Sequence, residues 1–267
     1  MQEPKRLVVK YGGNAMELGA PDPTLDEIAD FYRAGTGVVL VHGGGPMIDA
    51  ELRAGSIGQT RIAGLRVTDA PSLIVVERIL CATVNKALVR ALARAGVQAV
   101  GISGQDGGMM RADYAQAEGR SLGFVGDVPL VDTALVQTLL SAGFLPVIAP
   151  VAIDLQSVSA LNVNADNAAG AIAGALQADA YVVITNVARV LRDVADPASG
   201  LSLITAAEAS DLIDDGTFAD GMRHKILGAL DALRRGARRA IITGAGAGAI
   251  ASALAGAGTE IVESSAS

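Results

Sequence analysis

Two glycine-rich segments near the start of the chain, each set behind a short apolar run, have the composition to hold an anion. The first is Lys10-Tyr11-Gly12-Gly13. A strand that ends in lysine and two glycines brings an ammonium and bare backbone N–H groups to one sheet edge. The same residues also describe an ordinary Gly-Gly turn beside a surface lysine. The second is His42-Gly43-Gly44-Gly45-Pro46. Three residues without side chains let backbone N–H groups approach an oxyanion, and Pro46 suits the first turn of a helix through Met47 to Arg53, whose N-terminal dipole favours negative charge. His42 itself reads as a positioned structural residue rather than a base.

Three further segments carry polar groups at element boundaries. Gly64-Leu65-Arg66-Val67-Thr68-Asp69 sets a planar guanidinium, suited to a carboxylate, just ahead of a helix; a surface arginine balanced by Asp69 is the plainer reading. Asn162-Val163-Asn164-Ala165-Asp166 alternates so that three short polar side chains share one side of an extended segment, although a helix cap by Asn164 or Asp166 explains part of the pattern. Lys225, in Asp220-Gly221-Met222-Arg223-His224-Lys225, lies in the first turns of a helix, where it either faces the sheet edge or is solvated.

Several chemistries are disfavoured. No lysine followed by Ser or Thr closes either glycine loop, so neither is a G-x-x-x-x-G-K-[ST] P-loop, and no G-x-S-x-G elbow occurs. One cysteine, Cys81, and two histidines offer no disulfide and no zinc-ligand spacing. Gly244-Ala245-Gly246-Ala247-Gly248-Ala249 matches a dinucleotide fingerprint, with Glu263 about twenty residues on, but lacks the further βα units that such a fold needs. Tight packing of a terminal helix on the sheet accounts for it better.

These segments are positioned by an alternation of short β-branched runs with longer amphipathic stretches, the pattern of a mostly parallel sheet with crossover helices. Strands are expected over Arg6 to Lys10, Gly37 to His42, Val97 to Ile102, Leu145 to Ala149, Ala180 to Thr185, Arg239 to Thr243 and Glu260 to Val262. Between Asp69 and Ala95, apolar residues from Leu73 to Leu92 recur at three and four, which predicts the longest helical region. Met109 to Pro129 is more polar, with two hairpin-like pieces on an antiparallel edge. A division into two lobes is placed at Gln177, giving residues 1–177 and 178–267, and Ser264 to Ser267 is expected to fray.

At 267 residues the chain can bury its own core, and its formal charge of −7 argues against a duplex nucleic-acid binder. Two uncharged runs, Ala134 to Ile153 and Ala240 to Gly258, are broken by Pro and Gly or are too Ala- and Gly-rich to read as membrane spans. With no signal-peptide pattern at the N-terminus, a reducing cytoplasm is expected.

In order along the chain, KYGGNAM, VVLVHGGGP, GLRVTD, VNKALV, VGISGQDGGMMRA, GFVGDV, GFLPVIAPVAID, LNVNADNAAGAIA and DGMRHK together resemble the amino acid kinase family, and within it the enzymes that phosphorylate N-acetyl-L-glutamate. The resemblance runs from Lys10 to Lys225. It implies an α/β three-layer sandwich around a mainly parallel open sheet, with an N-terminal lobe for the acyl amino acid and dimer contact and a C-terminal lobe for ATP. It makes Lys10 and Lys225 the cations that stabilise the transferring phosphoryl group and Asp166 the carboxylate that holds them. Gly12 and Gly13 would bind phosphate; Gly44, Gly45, Arg66 and Asn162 would bind the acyl amino acid; Thr185, Asn186, Val187 and Leu191 would bind the nucleotide. ATP and Mg²⁺ are the implied co-substrate and ion, with no metal-ligating residue assigned. In-line transfer between two anions needs positioned N–H groups and cations, and a carboxylate acceptor needs no general base, which suits a chain so poor in His and Cys.

The sequence departs from the family pattern at Asn186, where Asp is usual, at Ala188-Arg189, where Pro-Gly is common, and at Thr60-Arg61-Ile62-Ala63 ahead of GLRVTD. Only nine residues precede Lys10, so a homodimer without arginine feedback is expected. The nearest competing expectation is a kinase acting on aminoadipate or glutamate attached to a carrier protein. A non-catalytic relative that keeps the fold is another. With no Trp and few aromatics, adenine is expected between aliphatic side chains.

Overall fold

The computed structural model describes residues 4–12, 19–127 and 130–264, Asp220 by its backbone alone. The strands before the first long helical region are β1 (Arg6–Tyr11), β2 (Gly37–His42) and a small hairpin, β3 (Arg61–Ile62) and β4 (Leu65–Arg66). Then come β5 (Ala99–Ser103), β6 (Met110–Arg111), β7 (Tyr114–Ala117), β8 (Arg120–Gly126) and β9 (Leu130–Val131). β10 (Leu145–Ala149), β11 (Val151–Asp154), β12 (Ser159–Val163) and β13 (Ala180–Thr185) follow, and β14 (Leu203–Thr205), β15 (Ala240–Gly244) and β16 (Thr259–Val262) end the series. The helices are α1 (Pro23–Arg33), α2 (Gly45–Ala54), α3 (Ala70–Glu77), α4 (Asn85–Arg94), α5 (Ala134–Ser141), α6 (Ala165–Ala175), α7 (Ala206–Asp214), α8 (Asp220–Arg234) and α9 (Ala249–Leu254).

One sheet of eight strands in the order β14-β16-β15-β13-β1-β2-β10-β5 carries the fold, parallel except where β16 meets β15. Its inner strands are continuous apolar runs because both faces are covered. The period of two sorts β1 accordingly: Val8 packs with Ala169, Ile172, Ile226 and Ala229 of α6 and α8, while Leu7, Val9 and Tyr11 pack with Leu25, Leu52, Val76 and Leu88 of α1 to α4. This is the expected three-layer sandwich, and all seven expected strands lie within a residue or two of their places. The sequence did not foretell β14, too short to read, or the extent of a second sheet.

That second sheet, β7-β8-β12-β11-β6-β9, absorbs the polar excursion and also the hairpin β11–β12. The Asp69–Ala95 stretch is helical throughout, but a π-helical segment, Arg78–Val84, separates α3 from α4. Asp69 caps α3 by accepting the Ser72 N–H. Of the uncharged runs, Ala134 to Ile153 forms α5, β10 and β11, and Ala240 to Gly258 holds β15 and α9. Among the described residues no helix is long and apolar enough to cross a membrane. Gly13, and the tail beyond Ser264, lie outside the described residues.

Candidate active site

The two glycine loops leave the sheet side by side because β1 and β2 are paired through Tyr11 and His42 at their C-terminal ends. The Gly43 N–H donates to the Tyr11 carbonyl at 2.9 Å, and a Cβ on Gly12 would fall 2.7 Å from the Gly43 nitrogen. Gly12 is therefore required for the approach of one main chain to the other. Gly44 is packed from below: a Cβ there would meet Leu80 and Val84 of the π-helical segment at 2.8 and 3.3 Å. Gly45 has open space around it and starts α2, whose N-terminus faces a cavity with no side-chain cap.

His42 fixes this loop from within the core. It is fully buried, with Nδ1 2.9 Å from the Gly43 carbonyl and Nε2 3.2 Å from Asn85 Nδ2. Both partners are satisfied only if Nδ1 carries the proton and Nε2 accepts from the amide, so the ring is neutral. Burial lowers its pKa to about 4, against a weaker opposing pull from the Gly43 carbonyl. The structural role expected for His42 holds. Because the unfolded chain would bind a proton near pH 6.5, the stability that neutral His42 contributes is complete above that pH and lost as pH falls toward 4. Unfolding free energies from urea titrations should decline across this window by up to about 3 kcal/mol, and those of a His42→Gln variant should decline less.

On the opposite face of the sheet, α6 and α8 cross at glycines. A Cβ on Gly170 would lie 2.2 Å from the Gly228 carbonyl oxygen, and one on Gly228 would lie 2.6 Å from the Asp166 carbonyl oxygen. Backbone therefore rests on backbone, with the first turn of α6 beside the turn of α8 that follows Lys225. Asn164 caps α6 by accepting the Asp166 and Asn167 N–H groups at 2.8 and 3.2 Å. The alternation read across Asn162, Asn164 and Asp166 thus ends where the helix starts: Asn164 serves the backbone, and Asn162 and Asp166 face the cavity. Gly228→Ala is expected to force the helices apart, costing about 2 kcal/mol of stability and lowering turnover; thermal melts alongside rates would check this.

Lys10, 4% exposed, places Nζ 2.9 Å from Asp166 Oδ1, and Lys225 Nζ stands 3.8 Å from Oδ2. The two form a buried ion pair, and an ammonium with three donors can serve a second anion beside Asp166. Burial pushes the Asp166 carboxyl upward, but Lys10 and Lys225 together hold it below the usual carboxylate range. Burial also lowers the Lys225 pKa, against the opposing attraction of Asp166.

A cavity of about 230 Å³ opens above this cluster, lined by Lys10, Gly43 to Gly45, Arg66, Asn162, Asp166 and Lys225 among others. Arg66, on β4, is buried and ion-paired with Asp49 of α2, which Arg61 of β3 also contacts. Burial lowers the Arg66 pKa and Asp49 opposes that shift. Asn162 Nδ2 donates to Thr68 Oγ1 at 3.1 Å, and that hydroxyl donates to the Arg66 carbonyl at 3.2 Å, so one polar chain ties the two residues together. Asp49 and Asn85 were not singled out from the sequence, and Thr68 was read only as an alternative to Asp69 for the cap of α3, a place that Asp69 takes. Asp49 had one signal, an acid four residues into a helix that opens on an anion site, where a purely anion-binding role would disfavour it.

Thr185, Asn186, Val187 and Leu191 stand apart from this cavity. Thr185 ends β13, on the other side of β1 from β2, and its hydroxyl donates to Asn186 Oδ1 at 3.2 Å; Asn186 is exposed, and Val187 and Leu191 are half-buried. They share the C-terminal edge of the sheet with both glycine loops, the edge at which open α/β sheets bind ligands. The GAGAGA segment is occupied from inside the chain: the Gly246 N–H donates to Thr24 Oγ1, and the Ile250 and Ala251 N–H groups donate to the Glu27 carboxylate at 3.1 and 2.8 Å. A side chain of α1 sits where a dinucleotide phosphate would have to bind.

Residues 5–244 match the model of the amino acid kinase family. The chain belongs to that family. A relative described as acetylglutamate kinase, from Thermosynechococcus vestitus, is 41% identical over 89% of this chain and 80% of its own. Among solved structures, smu.665 from Streptococcus mutans superposes with a TM-score of 0.82 at 29% identity, covering 97% of this chain and 99% of its own. N-acetylglutamate synthase from Neisseria gonorrhoeae, solved with coenzyme A and N-acetyl-glutamate, superposes with a TM-score of 0.80 at 26% identity over 98% of this chain and 60% of its own.

Proposed function

We propose that this chain transfers the γ-phosphoryl group of ATP to the side-chain carboxylate of N-acetyl-L-glutamate, giving N-acetyl-γ-glutamyl phosphate and ADP in arginine biosynthesis. One observation carries the reading: Lys10 and Lys225 converge on Asp166 at a cavity that also presents Gly44, Gly45, Arg66 and Asn162. The relative from Thermosynechococcus vestitus supports it by its name.

Arg66 binds the substrate's α-carboxylate and Asn162 its acetylamino end. The γ-carboxylate lies against the backbone donors of Gly44 and Gly45 and faces the two ammonium groups. Gly12 and Gly13 receive the nucleotide's phosphates, and Thr185, Asn186, Val187 and Leu191 the rest of ATP. Lys10 and Lys225 neutralise charge spread over the equatorial oxygens during transfer, and Asp166 keeps the two cations together without itself reacting. Among the described residues no group of three His, Cys, Asp or Glu gathers, so Mg²⁺ would be held chiefly by the phosphate oxygens of the nucleotide, where it adds further charge neutralisation. The division at Gln177 is supported by the sheet order, in which every strand after that residue lies on one side of β1. We place the reaction in the cytoplasm and assign a homodimer; the open edge strand β5 and the exposed Ile74 of α3 offer it a contact, and light scattering would test it.

Coupled ADP release with free N-acetyl-L-glutamate is the deciding experiment. Turnover that requires both ATP and that substrate supports the reading. Negligible turnover of the free substrate, with activity on a carrier-linked glutamate or aminoadipate, would replace it with the carrier-linked reaction.

A further inference from the structure

We infer that His224 is a positioning residue that sets the substrate hairpin β3–β4 against the helix bearing Lys225. The inference rests on the reaction proposed above. His224 is buried on α8, and its Nε2 lies 3.0 Å from the Ala63 carbonyl oxygen, 161 residues away in sequence. A carbonyl only accepts, so Nε2 carries the proton and donates.

The acceptor belongs to an unusual turn. Ala63 and Gly64 are the two residues between the paired strands β3 and β4, and both have positive φ, 48° and 79°. Such a two-residue hairpin suits glycine or asparagine at both places, whereas alanine in the left-handed region is strained and needs its surroundings to hold it. The bond from His224 provides such a restraint at the tip of the hairpin. The base is held by Asp49, which pairs with Arg61 and Arg66.

The hairpin forms one wall of the cavity through Arg61, Gly64, Leu65 and Arg66. The next residue after His224 is Lys225, which lines the same cavity beside Asp166. One hydrogen bond therefore links the arginine assigned to the substrate's α-carboxylate with the helix that carries a transfer cation. Without it the tip is held only through the apolar packing of Ile62 and Leu65 with Leu122 and Val125, and the distance between the two ends of a bound acyl amino acid is less well defined.

The test compares His224→Ala and His224→Gln, since a Gln amide reaches about as far as Nε2 and can donate. Hydrogen exchange of the hairpin amides in the ligand-free protein should quicken in His224→Ala and return toward wild type in His224→Gln. The KM for N-acetyl-L-glutamate should rise about three- to ten-fold in His224→Ala, the range one hydrogen bond spans, with the KM for ATP within about two-fold. A folded His224→Ala protein with unchanged hairpin exchange overturns the inference, as does an equal rise in both KM values. If the wild-type protein does not turn over N-acetyl-L-glutamate, the proposed reaction fails, while the exchange measurement still decides the role of His224.

Discussion

Replacing Lys10 by alanine is expected to lower kcat by about 10²–10³-fold, the usual cost of removing one preorganised donor from a developing anion. KM values for both substrates should shift far less. Lys10 is buried to 4% exposure and set by β1 at the sheet's centre, so no water-exposed cation can take its place. Lys10→Arg should not restore the rate, because a planar fork does not fit a point charge flanked by Val41 and Val183 on the neighbouring strands. Circular dichroism would establish that the variants are folded. Activity of a folded Lys10→Ala protein within ten-fold of wild type would remove Lys10 from the transfer step.

Asp166→Asn should act on stability as well as rate. The carboxylate is 5% exposed and lies beside two ammonium groups, so neutralising it leaves buried cations facing each other, at a cost of about 3–5 kcal/mol. The pH dependence has a definite sign. Lys10 and Lys225 hold the folded Asp166 pKa below the unfolded value despite burial, so its contribution is complete above the unfolded value and is lost as pH falls through the folded one. Denaturant titrations of both proteins should therefore differ most near neutral pH and converge in acid. A constant gap across the acidic range would show that Asp166 does not stabilise the fold through its charge.

Most of the frame was legible in the sequence because parallel, doubly covered strands are unbroken apolar runs, and β1, β2, β10 and β13 are of that kind. β14 was not, since three residues carry no period. The capping role of Asn164 was one of two open readings, and only the position of the helix start separates a polar row along a strand from a cap. Lys10, Arg66, Asp166 and Lys225 were named from ordered motifs, and the structure gathers all four at one cavity. Their partners were harder to see. Asp49 and His224 act across 17 and 161 residues; the one local signal of Asp49 is its place near the start of α2, and nothing local distinguishes His224 from an ordinary polar helix residue. Lys225 had two open readings until the glycine crossing of α6 and α8 fixed which way its helix faces.

The same crossing has a consequence for how this scaffold can change. Where α6 meets α8 the contact is made by main-chain atoms, which have no rotamers to adjust and no volume to trade. The spacing of Lys10 and Lys225 about Asp166 is thereby insulated from substitutions in the surrounding apolar layer. The wall proposed to bind the acyl amino acid is built differently, from a two-residue turn and long arginine side chains that can be lengthened, shortened or redirected. A designer seeking a new carboxylate acceptor would accordingly vary residues 60–66 and leave Gly170 and Gly228 alone, changing what is phosphorylated without disturbing the machinery that does it.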